Sequence, residues 1–171
     1  IFAEIAARNP QALILFVGHM GHGSVAGRLI ERLRPHFKDR NLDIMNHLHV
    51  LPRLSYEDYL GFLSISHHTI DTIDWNGGNS SFQSFSLGCP VVTMPTSFMR
   101  GRHTVSMLEV MKIPELIAND RADYVSISSR LLNDSSFYED IRKQINERAH
   151  LLFNDQSVAE AVRQALIELT I

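Results

Sequence analysis

The side chains with the clearest chemical use lie between Asp71 and Thr93, in the run Asp-Thr-Ile-Asp-Trp-Asn-Gly-Gly-Asn-Ser-Ser-Phe-Gln-Ser-Phe-Ser-Leu-Gly-Cys-Pro-Val-Val-Thr. Asn76, Gly77 and Gly78 suit a sharp turn with positive φ, and they leave room for a ligand to approach the backbone. Asn79 then reads as a helix N-cap, with Ser80, Ser81 and Phe82 as the first helical residues. The leading amides of a helix have no partner inside it, and the helix dipole is positive at that end. Gly77 to Ser81 therefore predict a cradle for an anion, phosphate above all. Gly88 stops the helix, Pro90 prevents its continuation, and Val91-Val92 resumes as a buried strand. An ordinary capped helix in an α/β domain would use the same residue types.

The elements that must hold this turn alternate between strand and helix. Pro10 ends an opening helix with Phe2, Ile5 and Ala6, and Ala12 to Val17 is an apolar run suited to a strand covered on both faces. The glycine-rich loop Gly18 to Ser24 follows, without the spacing of the dinucleotide fingerprint. A helix through Val25, Leu29, Leu33 and Phe37 comes next, with Pro35 ending or kinking it. His47 to Leu51 is a second strand, and Ser55 with Asp58 forms a capping box before Tyr59, Leu60 and Leu63. Thr69 to Ile73 is a third strand, and Glu115 to Ala118 a further short one. Between these two, the loop 94–102 carries Arg100 and Arg102 and leads into a helix through Val105, Leu108 and Met111. The tail is helical, opening at Asp120 with Asp123. This alternation predicts a Rossmann-like parallel sheet with helices on both faces and a helical tail, divided as 1–153 and 154–171. Loops 18–24, 52–55, 74–79 and 94–102 all fall at carboxyl ends of strands, where such sheets bind ligands.

Composition narrows the function. With 171 residues the chain can bury a sizeable core, and a net charge of −3 argues against nucleic acid as a partner. No run is long and apolar enough to span a membrane. The single cysteine, Cys89, permits no internal disulfide and fits a reducing, cytoplasmic setting. It follows a helix-stopping glycine and reads as a small buried residue, not a nucleophile. His19 with His22, and His47 with His49 on one strand face, have ligand-like spacing, but nothing supplies a third and fourth ligand, so no metal is expected. Trp75 is expected to pack at its turn, with a cap over the pocket as the alternative, and Arg100 to be solvated or structural.

Several motifs in order, Gly-Gly-Asn-Ser-Ser (77–81), Leu-Gly-Cys-Pro-Val-Val-Thr-Met-Pro (87–95), Met-Arg-Gly-Arg (99–102) and Glu-Leu-Ile-Ala (115–118), resemble the carboxy-terminal lobe of O-GlcNAc transferase-like and SPINDLY-like glycosyltransferases of the GT-B fold. The resemblance implies that this lobe binds a UDP-sugar as donor substrate, with no cofactor and no metal. Asn79 and Ser80 would meet the diphosphate, Gln83 the ribose, and Pro52, Arg53 and Leu54 the uracil. Arg102 would stabilise the departing diphosphate. The implied partners are an acceptor protein or peptide, an amino-terminal lobe that the final helix crosses to, and a tetratricopeptide segment. Relatives carry a carboxylate where Gln83 stands and a histidine at Gly78, and Tyr56, Tyr59 and Phe62 occupy positions that are basic or histidine in O-GlcNAc transferases. The expected function is sugar transfer with inversion, for which this piece alone would bind donor and catalyse little. The alternatives are a non-catalytic nucleotide-sugar scaffold and a UDP-sugar epimerase of the same fold.

Overall fold

A computed structural model describes residues 1–18 and 24–169. The proposed His19 and His22 pair lies outside the described residues. In chain order the elements are α1 (Phe2–Arg8), β1 (Ile14–Val17), α2 (Val25–Lys38), β2 (Leu48–Leu51), α3 (Tyr56–Ile65), β3 (Thr69–Ile70), α4 (Asn79–Ser86) and β4 (Val91–Val92). They continue as α5 (His103–Met111), α6 (Arg121–Asn133), α7 (Ser135–Arg148) and α8 (Gln156–Leu169).

The strands pair in parallel, as the alternation predicts, but in two ribbons. β1 runs beside β2 with Ile14 opposite Leu48, and β3 beside β4 with Thr69 opposite Val91. Glu115 to Ala118 is not a full strand: Pro114–Leu116 forms a 3-10 turn and Ile117 makes a single bridge to Thr93. The proline at the start of that turn donates no hydrogen bond, which limits pairing. The third strand also stops early, because Thr72 and Ile73 bend into the turn that Asn76 anchors.

Two apolar clusters hold these ribbons. Around β4, Phe85, Leu108, Met111, Leu116, Tyr124 and Ile145 are fully or almost fully buried. Around β1 and β2, Ala3 and Ala6 of α1 pack with Ile30 and Phe37 of α2 and Leu48. Asn9 links the two halves, donating to Ser129 Oγ at 3.0 Å and accepting from Asn133 Nδ2 at 2.6 Å. β1 is not covered on both faces. Ile14 is buried, yet Leu13, Leu15 and Val17 are 60%, 39% and 38% exposed. Strand side chains alternate, and helices cover one face of this ribbon among the described residues.

Local signals explain most helix ends. Ser24 caps α2 by accepting from Gly27 N–H at 3.0 Å, Ser55 accepts from Asp58 N–H at 3.0 Å, and Asp120 from Asp123 N–H at 2.8 Å. Pro35 does not end α2, which runs through it to Lys38. The last turn carries Phe37 into the core with no exposed surface, which offsets the roughly 3 kcal/mol cost of an interior proline. Gly88 closes α4 at φ +70°, and a Cβ there would collide with the Asn146 side chain. Gly88→Ala is therefore expected to cost at least about 1–2 kcal/mol, read as a lower denaturant midpoint with an unchanged slope.

Candidate functional site

The turn between β3 and α4 is built around Asp71, a residue that the sequence reading did not single out. Its carboxylate is buried and accepts from the Gly77 N–H at 2.8 Å and from Thr93 Oγ1 at 2.9 Å. Burial pushes its pKa above the usual carboxylate value, against the opposing pull of hydrogen bonds from Thr104, Gly77, Thr93 and Thr72. Asn76, also buried, donates from Nδ2 to Thr72 C=O at 2.7 Å, and its N–H donates to Arg100 C=O at 2.7 Å. A strand end, a turn and the 94–102 loop are thereby tied together.

Glycine at 77 serves space. A Cβ there would lie 2.5 Å from both Ser80 Oγ and Ser81 Oγ. None of Asn76, Gly77 and Gly78 has positive φ, so the expectation of a left-handed turn is corrected: the chain turns without entering that region. The N-cap is Gly78, and Asn79 is the first helical residue. This shift by one residue changes which amides are free. Ser81 N–H and Phe82 N–H return to Gly78 C=O at 3.0 and 3.2 Å, and Gly77 N–H belongs to Asp71. The amides of Gly78, Asn79 and Ser80 donate to nothing among the described residues. The Ser81 side chain is also committed: its hydroxyl pairs with Thr104 Oγ1 at 2.9 Å, buried in the interior.

A cleft of about 430 Å³ lies along this turn, lined by β3, by Asp71 and Thr72, by Trp75 to Gly78, by Ser80 and Ser81, and by Tyr59 of α3. It brings Gly77, Gly78, Ser80 and Ser81 together. Asn79 is exposed beside it and Gln83 is half-buried one turn further along α4, neither lining it. Pro52 and Arg53 are exposed and Leu54 half-buried at the end of β2, likewise outside the lining. Arg102 caps α5, is exposed, and lines a neighbouring cavity of about 410 Å³ with Phe82, Met99 and His103. Arg100 is structural, its Nε donating to Asp74 C=O at 3.1 Å.

Trp75 contradicts its expected packing. It is 71% exposed, because hydrogen bonds on both sides fix its backbone in the cleft lip and point no core toward the ring. Tyr59, half-buried, also lines the cleft; in the sequence it stands as a residue of the helix after Ser55 and as a departure from relatives. Cys89 is buried, as its position after Gly88 predicts. His47 precedes β2 with ψ −26°, so the strand spacing does not extend to it; it is buried and His49 exposed, and no three potential metal ligands cluster among the described residues.

The chain has counterparts in sequence and in fold. The sequence description of glycosyl transferase family 41 matches residues 56–162, more than half of the chain. A Giardia intestinalis UDP-N-acetylglucosamine–peptide N-acetylglucosaminyltransferase is 32% identical over 85 residues, half of this chain and 6% of its own length. Its Caenorhabditis elegans counterpart is 34% identical over 76 residues, 44% of this chain and 7% of its own. The structure of a Thermobaculum terrenum O-GlcNAc transferase mutant superposes with a TM-score of 0.80 at 23% identity, over 96% of this chain and 31% of that one. The likeness in structure shows a shared GT-B-type α/β fold, and the chain spans only a small part of the curated relatives that it matches. From Tyr56 onward, through the cleft, the turn and α4, the chain belongs to glycosyl transferase family 41.

Proposed function

We propose that this chain is the donor-binding lobe of an inverting glycosyltransferase that passes a sugar from a UDP-sugar to a protein side chain. One observation carries the reading: three unpartnered amides, of Gly78, Asn79 and Ser80, open at the positive end of α4 beside a cleft. Amides so placed donate to a diphosphate and stabilise the charge that grows on it as it leaves. The names of the relatives support a UDP-sugar as donor and a peptide as acceptor. Gln83 then faces the ribose and the 52–54 loop the uracil, and no metal or cofactor takes part. An amino-terminal lobe would supply the rest of the acceptor site, with α8 reaching toward it. α8 has no buried residue, and Val158, Val162 and Leu166 form an exposed stripe on it.

Thermal unfolding with and without UDP tests this reading. At about a hundred times its dissociation constant, UDP should add roughly 2.7 kcal/mol of stability. Asn79→Leu should reduce that gain, and Arg102→Ala should reduce it less, because Arg102 lies outside the cleft lining. Gln83→Glu should tighten binding, since a carboxylate accepts from two hydroxyls more strongly than an amide. Absence of any gain with UDP would favour a scaffold that has lost its ligand, the reading that Gln83 in place of an acid favours. Turnover of the UDP-sugar with no acceptor present would point to an epimerase.

A further inference from the structure

We propose that Trp75 is the platform on which the sugar ring of the donor stacks, and hence a residue that sets which sugars are accepted. This rests on the donor-binding reading above. Trp75 is the one tryptophan of the chain. It lines the same cleft as Gly77, Gly78 and Ser80, three residues before Gly78, the first amide of the proposed diphosphate cradle. Its backbone is fixed on both flanks: Thr72 Oγ1 donates to its C=O, Arg100 Nε to the C=O of Asp74, and the next amide to Arg100 C=O. The indole itself makes no ring contact and no hydrogen bond with the described residues, and the residue is 71% exposed.

A large flat ring on a rigid turn, with only two side-chain torsions to order, is a low-entropy surface for a ligand. The two faces of a pyranose differ from its rim: they present C–H groups, and the rim presents hydroxyls. Such a face matches the π surface of an indole and leaves the hydroxyls to water and polar groups. The alternative occupant of Trp75 is the uracil. The loop assigned to uracil, 52–54, leads directly into α3, whose Tyr59 also lines the cleft. The base belongs beside Tyr59, and the group attached beyond the diphosphate falls to Trp75.

The single tryptophan makes the test direct. Emission of the wild-type chain is recorded with UDP and with UDP-N-acetylglucosamine or UDP-glucose, and affinities are measured for the wild type, Trp75→Ala and Trp75→Phe. The sugar nucleotides should shift the emission to the blue while UDP leaves it near its free value. Trp75→Ala should weaken the sugar nucleotides about tenfold, about 1.4 kcal/mol, with UDP affinity unchanged. Trp75→Phe should recover part of the loss. Equal weakening of UDP and UDP-sugar would assign the ring to the nucleotide and overturn the proposal, as would affinities and emission indifferent to the sugar. If the wild type binds none of these ligands, the donor-binding reading itself has failed.

Discussion

Tyr124→Ala is expected to remove about 3–5 kcal/mol of stability, the largest loss from any single truncation considered, because it empties a large buried site. Tyr124 lies on α6 with no exposed surface, in the cluster around β4. Its hydroxyl stands 2.8 Å from Asp71 C=O and 2.9 Å from Val92 C=O, at the ends of neighbouring strands. One hydroxyl hydrogen thus serves two carbonyls that have little water nearby. Burial raises the phenol's pKa far above its usual value, with the Asp71 charge adding to the rise, so it stays a donor at any working pH. Tyr124→Phe keeps the ring and separates the two contributions: about 1–3 kcal/mol should follow from the buried carbonyls alone. Chemical denaturation of the three proteins measures both. A Phe variant as unstable as the Ala variant would mean that the hydroxyl, not the filled volume, holds the strands to α6.

Asp71→Leu is expected to abolish most of the response to UDP, by at least about tenfold in affinity, even though Asp71 need not touch the ligand. Its carboxylate holds Gly77 N–H inward, which fixes the directions of the next three amides. Leucine would leave that N–H and the Thr93 hydroxyl without their acceptor. Asp71→Asn preserves an acceptor for Gly77 and should keep UDP affinity. The two variants also differ from wild type in pH dependence. The folded protein holds the Asp71 proton to a higher pH than the unfolded chain, whose carboxyl titrates near 3.8. Between that value and the raised one, the folded state binds more protons, so this group adds stability as pH falls and loses it as pH rises. Asp71→Asn should erase that contribution and be no less stable at neutral pH. A variant with asparagine that loses UDP binding while its unfolding midpoint holds would show that charge, not geometry, is what the turn requires.

Much of the fold was readable because its signals are local. Ser55 with Asp58 and Asp120 with Asp123 cap helices three residues on, and Gly88 takes the left-handed conformation that its neighbours cannot. The site was half readable for the same reason. The glycines and serines of the turn announced a helix start with free leading amides, yet the cap fell on Gly78, since the chain enters α4 without a side-chain cap. Asp71 escaped notice because its partners stand six and twenty-two residues away, a relation that no spacing rule encodes. The available hint was an acid at the end of an apolar strand just before a glycine turn. Pro35 does not end its helix, because a local preference lost to the burial of Phe37. Trp75 misled in the opposite way: large aromatic residues are commonly buried, and nothing in the flanking residues says that the ring has no neighbour to pack on.

The half-paired ribbons bear on how this chain behaves at high concentration. Each strand has two rows of backbone donors and acceptors, and among the described residues β1 spends only one of them, on β2. With Leu13, Leu15 and Val17 facing outward beside the idle row, intact molecules have a ready template for knitting themselves into a shared ladder. Loss of material from concentrated solutions would then arise from folded copies joining, and a short extended peptide supplied in excess would compete for the same row.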